Sequence, residues 1–156
     1  ETFDGWAAET TDAVLADAFG SLAADQHGQA DRISDADGGI VHDRPTALQK
    51  HLRTLSAADE RAGGLLAWTL LADRTLSQAV GFFVGNADPS SADLFRGLRT
   101  EIESAADRSE ELLEAVCDGT DDWDGAREAA SEAIETAYAE YVDALESMGV
   151  KVKPVC

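Results

Sequence analysis

Three residues of this 156-residue sequence have side-chain types that could bind a metal ion: His27, Asp73 and Glu101. Asp73 interrupts a long apolar stretch, and a carboxylate in such a setting often belongs to a functional site. The three side chains could bind iron or manganese, because these metals accept imidazole and carboxylate ligands. The competing interpretation places His27 and Glu101 on solvated helix faces and pairs Asp73 with Arg74 in a salt bridge.

Other catalytic signatures are missing from the sequence. It has no glycine-rich phosphate loop, no Cys-x-x-Cys pair and no nucleophile elbow, and no serine or cysteine has a histidine base placed to activate it. The two cysteines, Cys117 and Cys156, are expected to be free thiols in a reducing cytoplasm, although a disulfide stays open if the tail folds back. The sequence therefore predicts no catalytic residue and leans away from an enzyme.

The composition limits the classes of partner. Aspartate and glutamate outnumber lysine and arginine by 31 to 12, which gives a net charge of −19. Such a charge repels nucleic acid and anionic membrane surfaces, so we expect neither as a partner. Apolar residues make up 44% of the chain, which argues against acidic disorder. A folded protein of a salt-loaded cytoplasm fits both observations, since salt screens the repulsion between acids. No targeting segment is visible, and whether residues precede Glu1 is left open.

One stretch of the chain, from Gly64 to Phe83, is apolar almost all round. A helix of this kind must be covered on most sides, so we predict it to be the central helix of a bundle. The pair Asp73-Arg74 and Gln78 interrupt the apolar run before it reaches the roughly 18 residues that a membrane span needs. We therefore predict no membrane span.

Apolar spacing predicts five further helices around this one. They cover residues 3–9, a stretch from the Thr10-Thr11-Asp12 break to about 34, residues 46–58, a stretch from the Asp88-Pro89 boundary to Cys117, and residues from about 122 to 148. In the second helix, Gln26 and Gln29 occupy positions where the pattern requires apolar residues. The last helix carries a predicted core stripe of Ala130, Ile134, Ala137, Tyr141, Leu145 and Met148.

The chain also resembles itself, without gaps, when its first part is aligned with its middle part at one fixed offset. The matches are Trp6 with Phe82, Asp12 with Asp88, Ala16-Asp17 with Ala92-Asp93, Phe19 with Phe95, Leu22 with Leu98, and Ala30-Asp31-Arg32 with Ala106-Asp107-Arg108. Chance in a sequence rich in alanine and aspartate is the competing explanation. Two related helical hairpins joined by a long crossover is the interpretation that we favour.

A duplicated hairpin with FGSLAADQHGQADRI at the end of its first copy resembles the ferritin-like superfamily, and rubrerythrins in particular. The likeness covers residues 2–33 and 82–108, and the acidic composition and the tail KVKPVC look like haloarchaeal rubrerythrin-like proteins. The resemblance implies a single all-α domain built as a ferritin-like four-helix bundle. Its parts would be a first hairpin at 1–34, a crossover at 35–62, a second hairpin at 63–118, a C-terminal helix at 120–149 and a tail at 150–156.

The resemblance also implies where a di-iron site would lie. In that family the second helix of each hairpin offers Glu-x-x-His to two irons, and a central helix offers a bridging glutamate. The corresponding positions here hold Gln26 and Gln29, Ile102 and Ala105, and Thr69. We predict that the metal site has degenerated, that no cofactor is bound, and that Gln26 and Gln29 bond each other or Asp73.

The function expected from this resemblance is a non-catalytic scaffold in a homo-oligomer or a larger complex. Its contacts would be anchored by Trp6, Trp123, Tyr138 and Tyr141. Core packing is the alternative for all four and is favoured for Tyr141. Two alternatives stay open. One is a ferritin-like oxidoreductase, peroxidase or metal-handling protein that uses iron or manganese at an altered site around Gln26, His27, Asp73 and Glu101. The other is a carrier that holds a small ligand in the space left by the metals.

Overall fold

The computed structural model describes residues 1–37 and 44–152. Within these ranges it contains six α-helices and no strand, which confirms the all-α prediction. The helices are α1 (Thr2–Glu9), α2 (Ala13–Asp37), α3 (Ala47–Leu52), α4 (Ala58–Gly85), α5 (Pro89–Val116) and α6 (Thr120–Ser147). None of the described helices has an apolar run long enough to cross a membrane.

An aspartate side chain caps the N-terminus of both α2 and α5. Asp12 Oδ1 accepts a hydrogen bond from the backbone N–H of Leu15 at 3.1 Å, and Asp88 Oδ1 accepts one from that of Ser91 at 3.1 Å. These bonds satisfy amide groups that a helix leaves unpaired at its first turn. Pro89 then opens α5, where its missing N–H costs nothing. The predicted boundary at Asp88-Pro89 is confirmed.

The hairpin boundaries recur at the offset that the sequence repeat predicts. The helix before each turn ends at Glu9 in the first copy and at Gly85 in the second, and the helix after it begins at Ala13 and at Pro89. The two hairpin turns therefore coincide residue by residue, and α1 corresponds to the last two turns of α4.

An aromatic cluster joins α1 to α2 and α4. The ring of Trp6 lies 5.2 Å from that of Phe19 and 5.4 Å from that of Phe3, and Phe3 also meets Trp68 at 5.1 Å, all edge to face. Trp6 is only 2% exposed, and the Arg61 guanidinium lies over its ring. The prediction that Trp6 is a surface anchor is wrong, because this residue belongs to the core.

The central helix α4 is covered over only part of its length. Its buried residues lie between Arg61 and Thr69, whereas Leu70, Phe82 and Val84 are exposed. The expectation of a helix covered on most sides is therefore wrong for the C-terminal half. In the N-terminal half, α1 adds to the cover that α5 and α6 provide, because the ring of Phe3 meets that of Trp68.

The packing of α6 against α4 relies on small residues. A Cβ atom on Gly63 would lie 2.0 Å from the carbonyl oxygen of Ala126, so the two backbones touch at this point. Gly63 thus permits a close approach instead of breaking the helix. Across from it, α6 buries Ala126, Ala129 and Ala133.

The predicted core stripe of α6 is wrong in its large residues. Ile134, Tyr141 and Met148 are exposed, and core packing does not apply to Tyr141. The close approach of the backbones at Gly63 selects the alanine face for the contact with α4, and the large side chains lie on the neighbouring face of α6. Trp123 and Tyr138 are exposed, as expected for residues that could anchor a contact.

Candidate functional site at the crossing of α2 and α5

Two ion pairs connect α2 to α5. The Arg32 guanidinium donates to both carboxylate oxygens of Glu101, at 2.8 Å for the bond to Oε1, and Arg108 Nη2 donates to Asp25 Oδ2 at 2.7 Å. Asp25 pairs with Arg108, and Arg32, further along α2, pairs with Glu101, which comes earlier in α5. The two helices therefore run antiparallel. All four side chains are partly exposed, so solvent screens these pairs.

The two ion pairs are equivalent in the internal repeat. Arg32 aligns with Arg108 in the repeat, and the same offset aligns Asp25 with Glu101. Each arginine of one copy therefore holds the acid of the other copy, as expected for an approximate twofold axis between α2 and α5. The sequence repeat aligns the two arginines but does not by itself show the ion pairs that they form. The matching offset of the two acids could have revealed them.

A chain of two amides extends from one of these ion pairs. Gln26 Nε2 donates to Gln29 Oε1 at 2.7 Å, and Gln29 Nε2 donates to Glu101 Oε2 at 3.2 Å. The predicted bond between the two glutamines is present, whereas Asp73 takes no part in it. Since a carboxylate only accepts, Gln29 must turn its NH₂ group to Glu101 and its oxygen to Gln26. The carbonyl oxygen of Gln26 accepts no hydrogen bond from any described residue.

The charge of Glu101 is stabilised by these neighbours. The hydrogen bond from the Arg32 guanidinium lowers the pKa of Glu101, and the Gln29 amide contributes in the same direction against a partial burial that would raise it. Glu101 in turn raises the pKa of Arg32. The acid is therefore ionised at neutral pH, with a cation and an amide already bonded to it.

The other positions at which the resemblance would place metal ligands are buried. Thr69 is fully buried, and its hydroxyl donates to the carbonyl oxygen of Leu66 at 2.8 Å. Ile102 and Ala105 are also buried and bring only aliphatic side chains. These three positions therefore supply no anionic ligand.

The alternative metal residues have separate partners. Asp73 Oδ1 accepts from Arg99 Nε at 2.6 Å, not from Arg74, and His27 Nε2 lies 3.6 Å from Asp4 Oδ2 on an exposed side chain. The structure brings Gln26, Gln29 and Glu101 together but does not join His27 or Asp73 to them. Across residues 1–37 and 44–152, no three histidine, cysteine, aspartate or glutamate side chains converge on a point that could hold a metal ion.

No family model, curated protein or solved structure matches this chain. The likeness to rubrerythrins is therefore carried by the quoted residues alone.

The cysteines do not form a second candidate site. Cys117 is buried at the end of α5, and this burial raises the pKa of its thiol, with a further contribution from the charge of Asp59. A raised pKa keeps the thiol protonated and unreactive at neutral pH. Cys156, the other half of the disulfide left open by the sequence, lies outside the described residues.

A cleft of about 300 Å³ opens beside the two glutamines. It lies between α2, α3, α4 and α5, next to the positions at which the family resemblance would place metal ligands. Its wall consists mainly of large apolar side chains, namely Ile33, Leu48, Trp68, Leu71, Leu76 and Ile102. The described lining contains no charged side chain, which is notable in a chain of net charge −19.

Proposed function

We propose that this chain is a non-catalytic, rubrerythrin-like helical scaffold from the cytoplasm of a halophilic archaeon, which works as a homo-oligomer or complex subunit. In this proposal the chain has a ferritin-like bundle in which the metal-ligand positions hold structural contacts. The crossing of α2 and α5, with its two symmetric ion pairs, joins the two hairpins in place of a metal.

The donor set at the crossing does not fit a di-iron site. Two iron ions need anionic oxygen ligands to balance their charge, whereas Gln26 and Gln29 are neutral amides. The hydroxyl of Thr69 is already bonded to the backbone, and the charge of Glu101 is balanced by Arg32. We therefore derive no metal-dependent step for this protein.

The observation that carries the assembly proposal is an exposed apolar seam on α6. The α6 seam consists of Ile134, Tyr138, Tyr141, Leu145 and Met148. Four of these residues are 41%, 43%, 49% and 70% exposed, and Leu145 is half-buried. The seam advances by alternating steps of four and three along the chain, which is the spacing with which two helices pack side by side. A helix face of this kind is normally covered by a partner.

The seam is complementary to itself. In an antiparallel pair about a twofold axis, Ile134 of one copy would face Leu145 of the second copy, and Tyr138 would face Tyr141. Each contact occurs twice, as in an isologous dimer. Tyrosine is also a residue type enriched at such contacts. We therefore propose a second copy of this chain as the partner.

The charges beside the seam permit this arrangement. In the same antiparallel register, Glu135 would face Val142, and Ala137 would face Ala144. No two acids would oppose each other along the seam, despite the acidic surface of the chain. The remaining repulsion acts between the net charges of −19 on the two copies, and it is screened by salt. We therefore expect the dimer to weaken as KCl is lowered.

Tyr141→Glu should separate the dimer into monomers. The substitution places two negative charges at the contact, where burial without a partner is costly, so we expect the dimer dissociation constant to rise by at least about a hundredfold. Sedimentation equilibrium in molar KCl measures this, starting from a wild-type mass of twice 16.5 kDa. Trp123→Glu is the matched control, since this exposed aromatic lies on α6 outside the seam and should leave the dimer intact. A monomeric wild type, or a Tyr141→Glu protein that dimerises normally, would contradict the proposal.

A further inference from the structure

The cleft beside Gln26 has the size and lining of a small-molecule site. Its volume of about 300 Å³ is roughly twice that of cavities that take up benzene. Pockets for small ligands have mostly apolar walls with a few polar groups that fix the orientation of the ligand. Here the apolar wall is contributed by four helices. The polar groups are the Thr75 hydroxyl, which already donates to the Leu71 carbonyl oxygen, and the two glutamine amides of α2 at one end.

The hydrogen bonds at that end determine which group a ligand must present. Glu101 can only accept, so it orients Gln29, and Gln29 orients Gln26 through its carbonyl oxygen. The carbonyl oxygen of Gln26 is the terminal acceptor of this chain. The Gln26 amide also keeps one N–H that donates to no described residue. A ligand hydroxyl, which can both donate and accept, therefore matches the free groups of this amide. Because no charged side chain is among the described lining residues, the ligand has no ionic partner and should be neutral.

We propose that this cleft binds a neutral apolar molecule with a single hydroxyl group, of the class of alkylphenols. The ring and alkyl chain would lie against Trp68, Leu71 and Ile102, and the hydroxyl would donate to Gln26 Oε1. This site goes beyond the scaffold function, and it does not depend on dimerisation through the α6 seam.

Titration of the full chain with 4-propylphenol and with propylbenzene tests the proposal. The two probes share their apolar part and differ in the hydroxyl, so isothermal titration calorimetry in molar KCl isolates its contribution. One hydrogen bond predicts that the phenol binds about tenfold more tightly than the hydrocarbon. No saturable binding of the phenol, or equal affinity for the two probes, would overturn the proposal.

Substitutions locate the binding in the cleft. Gln26→Leu keeps the side-chain size but removes the acceptor, so it should abolish the tenfold preference for the phenol. Gln78→Leu is the matched control, because this exposed glutamine of α4 lies outside the cleft, and the preference should persist. Ala72→Phe should fill the cleft and abolish binding of both probes while circular dichroism shows an intact helical fold. Unchanged binding in the Ala72→Phe protein would overturn the assignment.

Discussion

Phe19→Ala should lower the free energy of unfolding by about 3–5 kcal/mol, because the ring is fully buried and packs edge to face against Trp6 at 5.2 Å. Phe95 is its partner in the repeat and supplies a matched control. That ring is only half-buried and stacks on Phe83 near the exposed end of α4, also at 5.2 Å. We expect Phe95→Ala to cost less than about half as much, since less apolar area leaves water at this position.

Guanidinium titration in molar KCl, followed by circular dichroism, measures both phenylalanine variants. Equal losses for the two would contradict the distinction between the fully buried Phe19 and the half-buried Phe95 near the exposed end of α4. A loss below about 1 kcal/mol for Phe19→Ala would contradict its placement in the core.

Gly63→Ala should lower the free energy of unfolding by about 3 kcal/mol, although alanine is the better helix former. The added Cβ would lie 2.0 Å from the Ala126 carbonyl oxygen, so α4 and α6 must move apart. Gly97→Ala is the control, because nothing lies within 4 Å of a Cβ at that helical position. It should raise the free energy of unfolding by about 0.5–1 kcal/mol. The same denaturant titration tests the opposite signs, and a stabilised Gly63→Ala protein would refute the close contact.

Local sequence signals predicted the helices and the hairpin turns well. Asp88 followed by Pro89 fixes a helix start through hydrogen bonds within a single turn, so it can be read without knowing the fold. Because the internal repeat aligns Asp12 with Asp88, it predicts the same kind of helix start at Asp12. The prediction of a helix over 46–58 is wrong at its end, because α3 ends at Leu52. The capping box of Thr46 and Gln49 marks only its start.

The faces of the long helices were harder to predict. The spacing of Ile134, Tyr141 and Met148 is the same whether a helix packs into a core or presents a seam to another chain, so periodicity alone assigned them to the core. The structure separates these cases because Gly63 brings α4 onto the alanine face of α6. Gly63 contacts Ala126, which is distant in the sequence. No local pattern therefore indicates which face of α6 packs against α4.

The candidate site could be predicted in part. Gln26 and Gln29 stand out as polar residues at apolar positions, and their mutual hydrogen bond was expected from the cost of leaving a buried amide unpaired. The bond from Gln29 to Glu101 joins two helices that are distant in the sequence and depends on how α2 crosses α5. In the sequence, only the repeat offset, which aligns Asp25 with Glu101, indicates that α2 and α5 cross at this point.

The central proposal is that the crossing of α2 and α5 holds structural contacts where the family resemblance would place two irons. Its most direct test is the metal content per chain, measured by mass spectrometry on protein purified in molar KCl without chelators or an affinity tag. We expect iron and manganese well below about one equivalent in folded protein, because the donors at the crossing are amides and an acid already paired with Arg32. About two equivalents of either metal would contradict the proposal and direct attention to Asp73, His27 and Glu101 as ligands.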